Sequence, residues 1–259
     1  MKSDQRKNSW VASLRSQARQ LSQIAMLVCV GALRARRPKG ELLRQLYQVG
    51  NRSLLFVLVT LGFTGMVLVF QSCLQLSRVT GDLSQVGGEF IKYLVHEFGP
   101  SLTAMMLATR VGAGIAAEIG SMVVTEQVDA LRMCSADPID FLVVPRFVAG
   151  LVMTGFLIVL GGAVAFGAGA LTAHIAFEVP FEVFITARSV RLGDLVTGAA
   201  KCVAYGAAIP LVSSYCGLST FGGSEGVGWA TTRAVVNSSL AILMLNFFIS
   251  GVALLIFPP

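Results

Sequence analysis

Charged side chains are scarce in this chain. Of its 259 residues, 13% are Asp, Glu, Lys or Arg, whereas a soluble globular domain carries about 25%. The mean hydropathy is correspondingly high, at +0.73. So low a charge excludes a disordered tail, a nucleic-acid-binding protein and most cytoplasmic enzymes. The composition predicts that lipid is the main solvent of the folded chain.

Cysteine and histidine are also few. The five cysteines are odd in number, scattered and without a C-x-x-C pair, so they encode neither a disulfide framework nor a zinc site. With two histidines, a histidine-based metal centre is not expected either. The sequence predicts no metal and no cofactor.

Sequence signatures of nucleotide chemistry are missing as well. Gly112, Gly114 and Ala117 match a dinucleotide-binding G-x-G-x-x-A pattern, but no strand precedes them and they lie in an apolar run. A second glycine cluster, at 222–228, lacks the Lys-Ser/Thr of a phosphate-binding loop and is predicted to be a flexible turn. The chain is not expected to be an enzyme, so any ATP hydrolysis must take place on another chain.

Long apolar runs take the place of these features. A membrane-spanning helix needs about 20 mostly apolar residues, and five segments meet this requirement. We therefore predict an all-α integral membrane protein with five transmembrane helices in residues 54–259, preceded by a basic segment, 1–53. The predicted spans are 53–77, 98–117, 147–177, 195–224 and 234–259.

Positive charge is concentrated at the N-terminus. Residues 1–53 contain eleven Lys or Arg and two acids, and the rest of the chain carries a net charge of −3. A basic segment before apolar runs favours a cytoplasmic anchor on anionic lipid over nucleic-acid binding. By the positive-inside rule the N-terminus is cytoplasmic, and five spans place the C-terminus outside. The connections at 118–146 and 222–233 then face the cytoplasm.

An amphipathic helix is predicted before the first span. Apolar residues recur there at three- and four-residue spacing with Arg and Gln on the other faces, which is typical of a helix in the membrane interface. A secretory signal peptide is the rival interpretation. It is disfavoured because Arg34, Arg36 and Arg37 stand where a cleavage site should be. The apolar positions are Trp10, Leu14, Ala18, Leu21, Ala25 and Val28.

Three ionisable residues lie within or beside the predicted spans, where charge is costly and usually paired or functional. Arg110 is eight residues from Glu118, about 12 Å along a helix, so it can snorkel or pair there. Lys201 lies near a span end and can also snorkel or pair. For Arg110 and Lys201 alike, a structural pairing is favoured over contact with a substrate. Glu97 follows His96 at the outward start of the second span, facing either water or a cavity between helices.

Small residues recur four apart within the spans. Such pairs allow close helix approach, either inside one bundle or between subunits, and the sequence leaves both possibilities open. The pairs are Gly112 with Ala116, Ala113 with Ala117, Ala163 with Gly167, and Ala165 with Gly169.

The segment 112–146 is the richest in polar features. It predicts a short cytoplasmic helix at about 121–134 that exposes Glu126 and Asp129, followed by a break at Pro138. Such a helix between two spans suits docking onto another protein, and a solvated loop is the alternative.

Residues in this segment and elsewhere resemble the MlaE/YrbE-type permeases of ABC transporters, which move phospholipids between bacterial membranes. The matches run in the family's order from about residue 40 to the C-terminus, and many are polar, so shared hydrophobicity explains them poorly. They are Arg44-Gln45-Leu46-Tyr47-x-Val49-Gly50, Glu97-x-Gly99-Pro100, Ala117-Glu118-Ile119-Gly120, Thr125-Glu126-Gln127, Ala130-Leu131, Asp137-Pro138, Pro145-Arg146 and Ala230-Thr231-Thr232-Arg233-x-Val235-Val236-x-Ser238-Ser239-Leu240.

The resemblance implies a permease that moves phospholipids between the inner and outer membranes of a bacterium. It would act in the inner membrane as a homodimer, with the N-terminus cytoplasmic and the C-terminus periplasmic. The implied partners are a cytoplasmic ABC ATPase, a small STAS-domain protein and a periplasmic MCE-domain protein. A secondary transporter and a non-transporting membrane scaffold are the alternatives, although the chain shows no clear internal repeat.

The same resemblance implies roles for particular residues. The helix at 121–134 would contact the ATPase, and Glu97 and His96 would lie near a lipid pocket on the outward side of the dimer. The family often has Arg where this chain has His96, so a weaker, pH-sensitive cation replaces a permanent one. The ATPase-coupling residues would be Glu126, Gln127, Asp129, Leu131 and Arg132.

Overall fold

A computed structural model describes residues 26–28, 39–79, 81–185 and 190–257. Within these ranges every regular element is a helix, and five helices are long and apolar enough to cross a membrane. The prediction of an all-α protein with five transmembrane helices is confirmed. The predicted amphipathic helix lies outside the described residues except at 26–28, which are helical.

The first span is preceded by a short amphipathic helix that runs into it. Helix α1 (Lys39–Val49) is charged, whereas α2 (Asn51–Val79) has no charge from 53 to 77, as predicted for the first span. Gly50 joins them through hydrogen bonds that continue the helical pattern. The Gly50 N–H donates to the Leu46 carbonyl, and the Leu54 N–H donates to the Gly50 carbonyl. The change from charged to apolar sequence at this joint indicates a membrane interface.

The second span is longer than its apolar core. Helix α3 (Val86–Val124) contains two π-helical turns, Leu94–Phe98 and Ala108–Gly112. The predicted span of 98–117 was therefore too short. Charged residues and glycines interrupt the apolar run before Phe98, but residues 86–97 are already part of the helix. Glu97 consequently lies three turns inside the helix and not at its outward start, as the sequence had indicated.

The polar connection after α3 is a turn and a short helix. Helix α4 (Gln127–Met133) is preceded by Glu126 in the left-handed region (φ 59°). The predicted helix at 121–134 is thus divided, because residues 121–124 complete α3 and Glu126 reverses the chain. Helix α5 (Ile139–Phe177) then starts with a π-helical turn, and the Asp137 side chain accepts a hydrogen bond from the Ile139 N–H at 2.9 Å.

The last two spans follow a short helix. Helix α6 (Phe181–Phe184) precedes α7 (Leu192–Leu218) and α8 (Gly223–Ile256). The prediction of a flexible turn over 222–228 was wrong in extent, because the turn occupies only 219–222 and the rest is α8. Glycine is required there for close approach: a Cβ on Gly226 would lie 1.8 Å from the Phe221 carbonyl oxygen.

Close helix packing explains part of the small-residue pattern. Helices α2 and α5 are in contact along much of their length, and a Cβ on Gly65 would lie 2.4 Å from the Ala165 carbonyl oxygen. Gly169 likewise packs on Val69. The pair Ala165 and Gly169 therefore serves packing inside the bundle, whereas Ala163 is exposed on the opposite face of α5.

Helix α8 stands apart in its exposure. In its most apolar stretch 6% of the residues are buried, against 33–44% for the other four spans. Phe247 and Phe248 are 75% and 65% exposed. The helix packs on α3 and α7 by one narrow face, and the remainder is available to lipid or to another subunit.

Candidate functional site

Glu97 lies in a helical turn that is altered by the residues after it. Pro100 has no N–H, so the α-helical donor for the carbonyl of His96 is missing. The turn Leu94–Phe98 is π-helical, with the Gly99 N–H bonded to the Leu94 carbonyl. Single π-helical turns of this kind occur frequently at functional sites.

The carboxylate of Glu97 receives donors from two other spans. Lys201 of α7 and Asn246 of α8 donate to its two oxygens, and Ser250 of α8 donates at 3.2 Å. His96 Nδ1 lies 3.6 Å from the same carboxylate. One acidic side chain therefore connects α3, α7 and α8.

The positive charge of Lys201 is neutralised by the acceptors of this cluster. Its side chain is 0% exposed, and its ammonium also donates to the His96 carbonyl at 2.9 Å. A buried ammonium is tolerated only where opposite charge and acceptors surround it. Lys201 thus supplies both the counter-ion of Glu97 and a donor to the carbonyl that Pro100 leaves without its α-helical partner.

A hydrogen-bonded second layer orients Asn246. Tyr205 donates to the Asn246 side-chain oxygen at 2.8 Å, and Ser101 donates to the same oxygen at 3.4 Å. With its oxygen accepting these bonds, the amide presents its nitrogen to Glu97. Sequence reasoning missed Asn246, Tyr205 and Ser250; the usable signal was polar side chains at four-residue spacing in otherwise apolar helices (201 and 205, 246 and 250).

The cluster is only partly shielded. The Glu97 side chain is 33% exposed and that of His96 is 30% exposed, beside the sparsely buried α8. An ionised carboxylate in contact with hydrocarbon is costly. This side of the chain therefore requires water, a polar ligand or another protein surface.

Arg110 belongs to a different level of the bundle. It is thirteen residues after Glu97, about 20 Å along the helix. Its guanidinium donates to Ser53 at 2.8 Å, so of the two possibilities considered for Arg110, snorkelling or pairing with Glu118, the pairing is not formed. Glu118 instead pairs with Arg146 at 3.0 Å. The Arg146 side chain is 4% exposed and also donates to the Leu142 carbonyl at 2.6 Å.

The residues predicted to contact an ATPase lie together on the connection between α3 and α5. Glu126 and Gln127 are exposed, and Asp129 pairs with Arg132 at 2.9 Å with both side chains 65% exposed. Leu131 is half-buried, while Val128 is 4% exposed and holds the short helix against the bundle. The connection thus presents a charged, solvent-facing surface at the end of α3.

The fold and these sites define a polytopic all-α membrane protein with a partly buried polar cluster and an exposed interhelical loop. A family model described as permease MlaE matches residues 42–252. The chain is 38% identical over 211 residues to a probable ABC transporter permease protein of Rickettsia typhi, covering 81% of each protein. It is also 33% identical over 214 residues, 82% of each protein, to the intermembrane phospholipid transport system permease protein MlaE of Haemophilus influenzae.

A plant protein is similar over a smaller part of its own length. The chloroplastic protein trigalactosyldiacylglycerol 1 of Arabidopsis thaliana is 34% identical over 211 residues, which are 81% of this chain and 60% of that protein. Taken together, these matches show that the chain belongs to the MlaE permease family. It is accordingly a multi-pass membrane transport subunit.

Proposed function

We propose that the chain is the transmembrane subunit of an ABC transporter that moves phospholipids between the inner and outer membranes of a bacterium. The name of the Haemophilus relative supports the substrate class. The observation that carries the proposal is the ion pair between the buried Lys201 and the partly exposed Glu97 beside α8, because a polar site open at membrane depth suits a ligand with a charged head and apolar chains.

The subunit acts as a homodimer. Two features support this: α8 is the least buried span, and the cluster at its side exposes Glu97. A second copy facing α8 would replace hydrocarbon around the carboxylate with a cavity enclosed by protein. His96 and Glu97 then line the outward part of this lipid cavity.

The energy comes from a cytoplasmic ATPase that binds at the α3–α5 connection. The exposed charges of Glu126, Asp129 and Arg132 support a protein contact there. ATP-driven closure of the paired ATPases shifts the population of the dimer toward a collapsed cavity, and lipid is exchanged with a periplasmic MCE-domain protein. A STAS-domain protein completes the complex. The N-terminus lies in the cytoplasm and the C-terminus in the periplasm, in agreement with the N-terminal charge.

Purification from the native membrane with associated subunits tests this function. An ATPase that co-purifies and is stimulated by phospholipid is the expected result, and Glu126→Lys should abolish both. A chain that purifies alone from gently solubilised membranes would favour a secondary transporter or a scaffold.

A photoreactive residue at position 96 tests the lipid pocket without removing the Glu97–Lys201 pair. Phospholipid adducts should form there and change in yield during ATP turnover. Val67, which is 62% exposed on α2, is the matched position, and its adducts should not respond to ATP. Equal behaviour at the two positions would contradict a transport pocket at His96.

A further inference from the structure

A cavity with charged and amide side chains in its lining lies at the opposite end of the bundle from the α6 loop. It has a volume of about 240 Å³ and lies between the α1–α2 joint and the middle of α3. A single water needs only about 15 Å³ of such space, so the cavity has room for a polyatomic group. Its lining residues are Gln45, Gln48, Val49, Arg52, Arg110, Val111, Gly114, Ile115 and Glu118.

The cavity has an excess of positive charge. Among the described residues, neither Arg52 nor Arg110 forms an ion pair, and the one bond that Arg110 makes is to the neutral hydroxyl of Ser53. The carboxylate in the lining, Glu118, is already neutralised by the buried Arg146. Two guanidinium groups therefore reach the cavity without an anion.

The two amides in the cavity lining differ in their availability to an anionic guest. Gln45 is buried and its amide nitrogen donates to Glu41 at 2.9 Å. Gln48 is half-buried and supplies a further amide. Guanidinium groups form short, charge-assisted and often bidentate hydrogen bonds with phosphate.

The position of Arg110 in α3 is a second, independent observation. The residue lies in the π-helical turn Ala108–Gly112, and single turns of this kind occur frequently at functional sites. The level of the cavity is that of Ser53, where the charged helix α1 gives way to the apolar α2. Phosphate groups of lipids are concentrated at this level of a membrane.

We infer that Arg52 and Arg110 bind the phosphate group of an anionic lipid head group in this cavity. The site is about 20 Å along α3 from Glu97 and does not depend on which lipid the permease moves. Its occupant clamps the α1–α2 joint to α3, because the two arginines come from these two elements. Inorganic or organic phosphate from solution has the same chemistry and is the other source.

Thermal unfolding of the full-length chain in detergent tests the site. Dioctanoyl phosphatidylglycerol should raise the melting temperature saturably. Because each guanidinium contributes charge-assisted bonds, Arg52→Gln and Arg110→Gln should each raise the half-saturating concentration about tenfold. Gln48→Glu keeps both arginines and supplies an internal anion, so it should weaken binding similarly even where the arginine variants fold poorly.

Arg44→Gln is the matched control, since Arg44 on α1 precedes the cavity residue Gln45, is 63% exposed and does not line the cavity. Its half-saturating concentration should stay within about twofold of the parent. Equal effects of Arg44→Gln and Arg52→Gln would show that the lipid is attracted only by diffuse surface charge, and would overturn the inference. A melting temperature that does not saturate with lipid in the parent would overturn it too.

Glycerol phosphate identifies the source of the phosphate group. If it saturates the chain only at concentrations well above those of the lipid, the site binds a head group. If the two saturate alike and both require Arg52 and Arg110, the phosphate site stands and its ligand is a soluble anion.

Discussion

The buried ammonium of Lys201 forms an ion pair with the half-exposed carboxylate of Glu97, across two different transmembrane helices. The same ammonium donates to the backbone carbonyl of His96 at 2.9 Å. Pro100 removes the α-helical donor to that carbonyl, so the π-helical turn and the ion pair form one structural unit. The two partners differ in exposure, which makes their removal unequal in cost.

Removing either partner should destabilise the bundle, with Glu97→Gln the more severe. It leaves the Lys201 charge, which is 0% exposed, without compensation, at a cost of about 3 kcal/mol. Lys201→Met should cost about 1–2 kcal/mol, because Glu97 keeps Asn246, Ser250 and partial solvation. Unfolding by sodium dodecyl sulfate in mixed micelles measures both.

The double variant separates coupling from two independent defects. Glu97→Gln with Lys201→Met leaves no uncompensated charge, so it should be more stable than the sum of the single effects by at least about 1 kcal/mol. Additive losses would show that the two side chains act independently in spite of their contact.

Two glycines one turn apart in α2 should respond differently to alanine. A Cβ on Gly65 would lie 2.4 Å from the Ala165 backbone, which cannot move aside without separating α2 from α5. Gly65→Ala should therefore cost about 1–3 kcal/mol. On Gly62 a Cβ would meet Val164 at an ordinary 3.5 Å, so Gly62→Ala should stay within about 0.5 kcal/mol. The same micellar unfolding assay compares them, and equal losses would contradict this packing.

The five spans could be predicted from sequence because an apolar run of about 20 residues has few alternatives in lipid. Their ends could not. Helix α3 begins at Val86, ahead of Glu89, Lys92 and Glu97. Of these charges, Glu97 is paired with Lys201 of another span, and Glu89 is exposed near the helix end. A hydropathy pattern shows where a charged residue interrupts an apolar run, but not which side chain from another helix pairs with it.

The partners within the site were less accessible to sequence reasoning than its charges. Glu97 and Lys201 were recognisable as costly ions, but their pairing joins residues 104 apart in the chain. The pairing of Arg110 with Glu118, one of two possibilities considered from their separation in one helix, is not formed, and Glu118 instead pairs with Arg146 of α5. Contacts within one helix follow from spacing, whereas contacts between helices depend on how the bundle packs.

The cysteines provide a test of the proposed orientation. Cys134 is exposed at the end of α4, and Cys73 is buried inside α2. A membrane-impermeant maleimide should label Cys134 in inside-out vesicles and leave it unlabelled in intact spheroplasts, with the site assigned by peptide mass spectrometry. Cys73 should react only after denaturation. Labelling of Cys134 from outside the cell would reverse the topology.

The carboxylate of Glu126 can be removed without straining the backbone, because this residue has a left-handed conformation (φ 59°) that glycine adopts freely. Glu126→Gly should keep or slightly raise stability and should reduce co-purification of the ATPase, if the carboxylate contacts it. Lipid-stimulated ATP turnover of the purified complex should fall in parallel.

Ser135→Gly is the matched control for this experiment. Ser135 lies in the same connection, is exposed and has nearly the same conformation (φ 57°), but it follows α4. Both variants gain the same backbone freedom, so a loss of ATPase that is due to a loosened loop should occur in both. Loss in Glu126→Gly alone would assign the contact to the carboxylate. Full binding by both variants would place the ATPase contact elsewhere, with the Asp129–Arg132 pair the next surface to change.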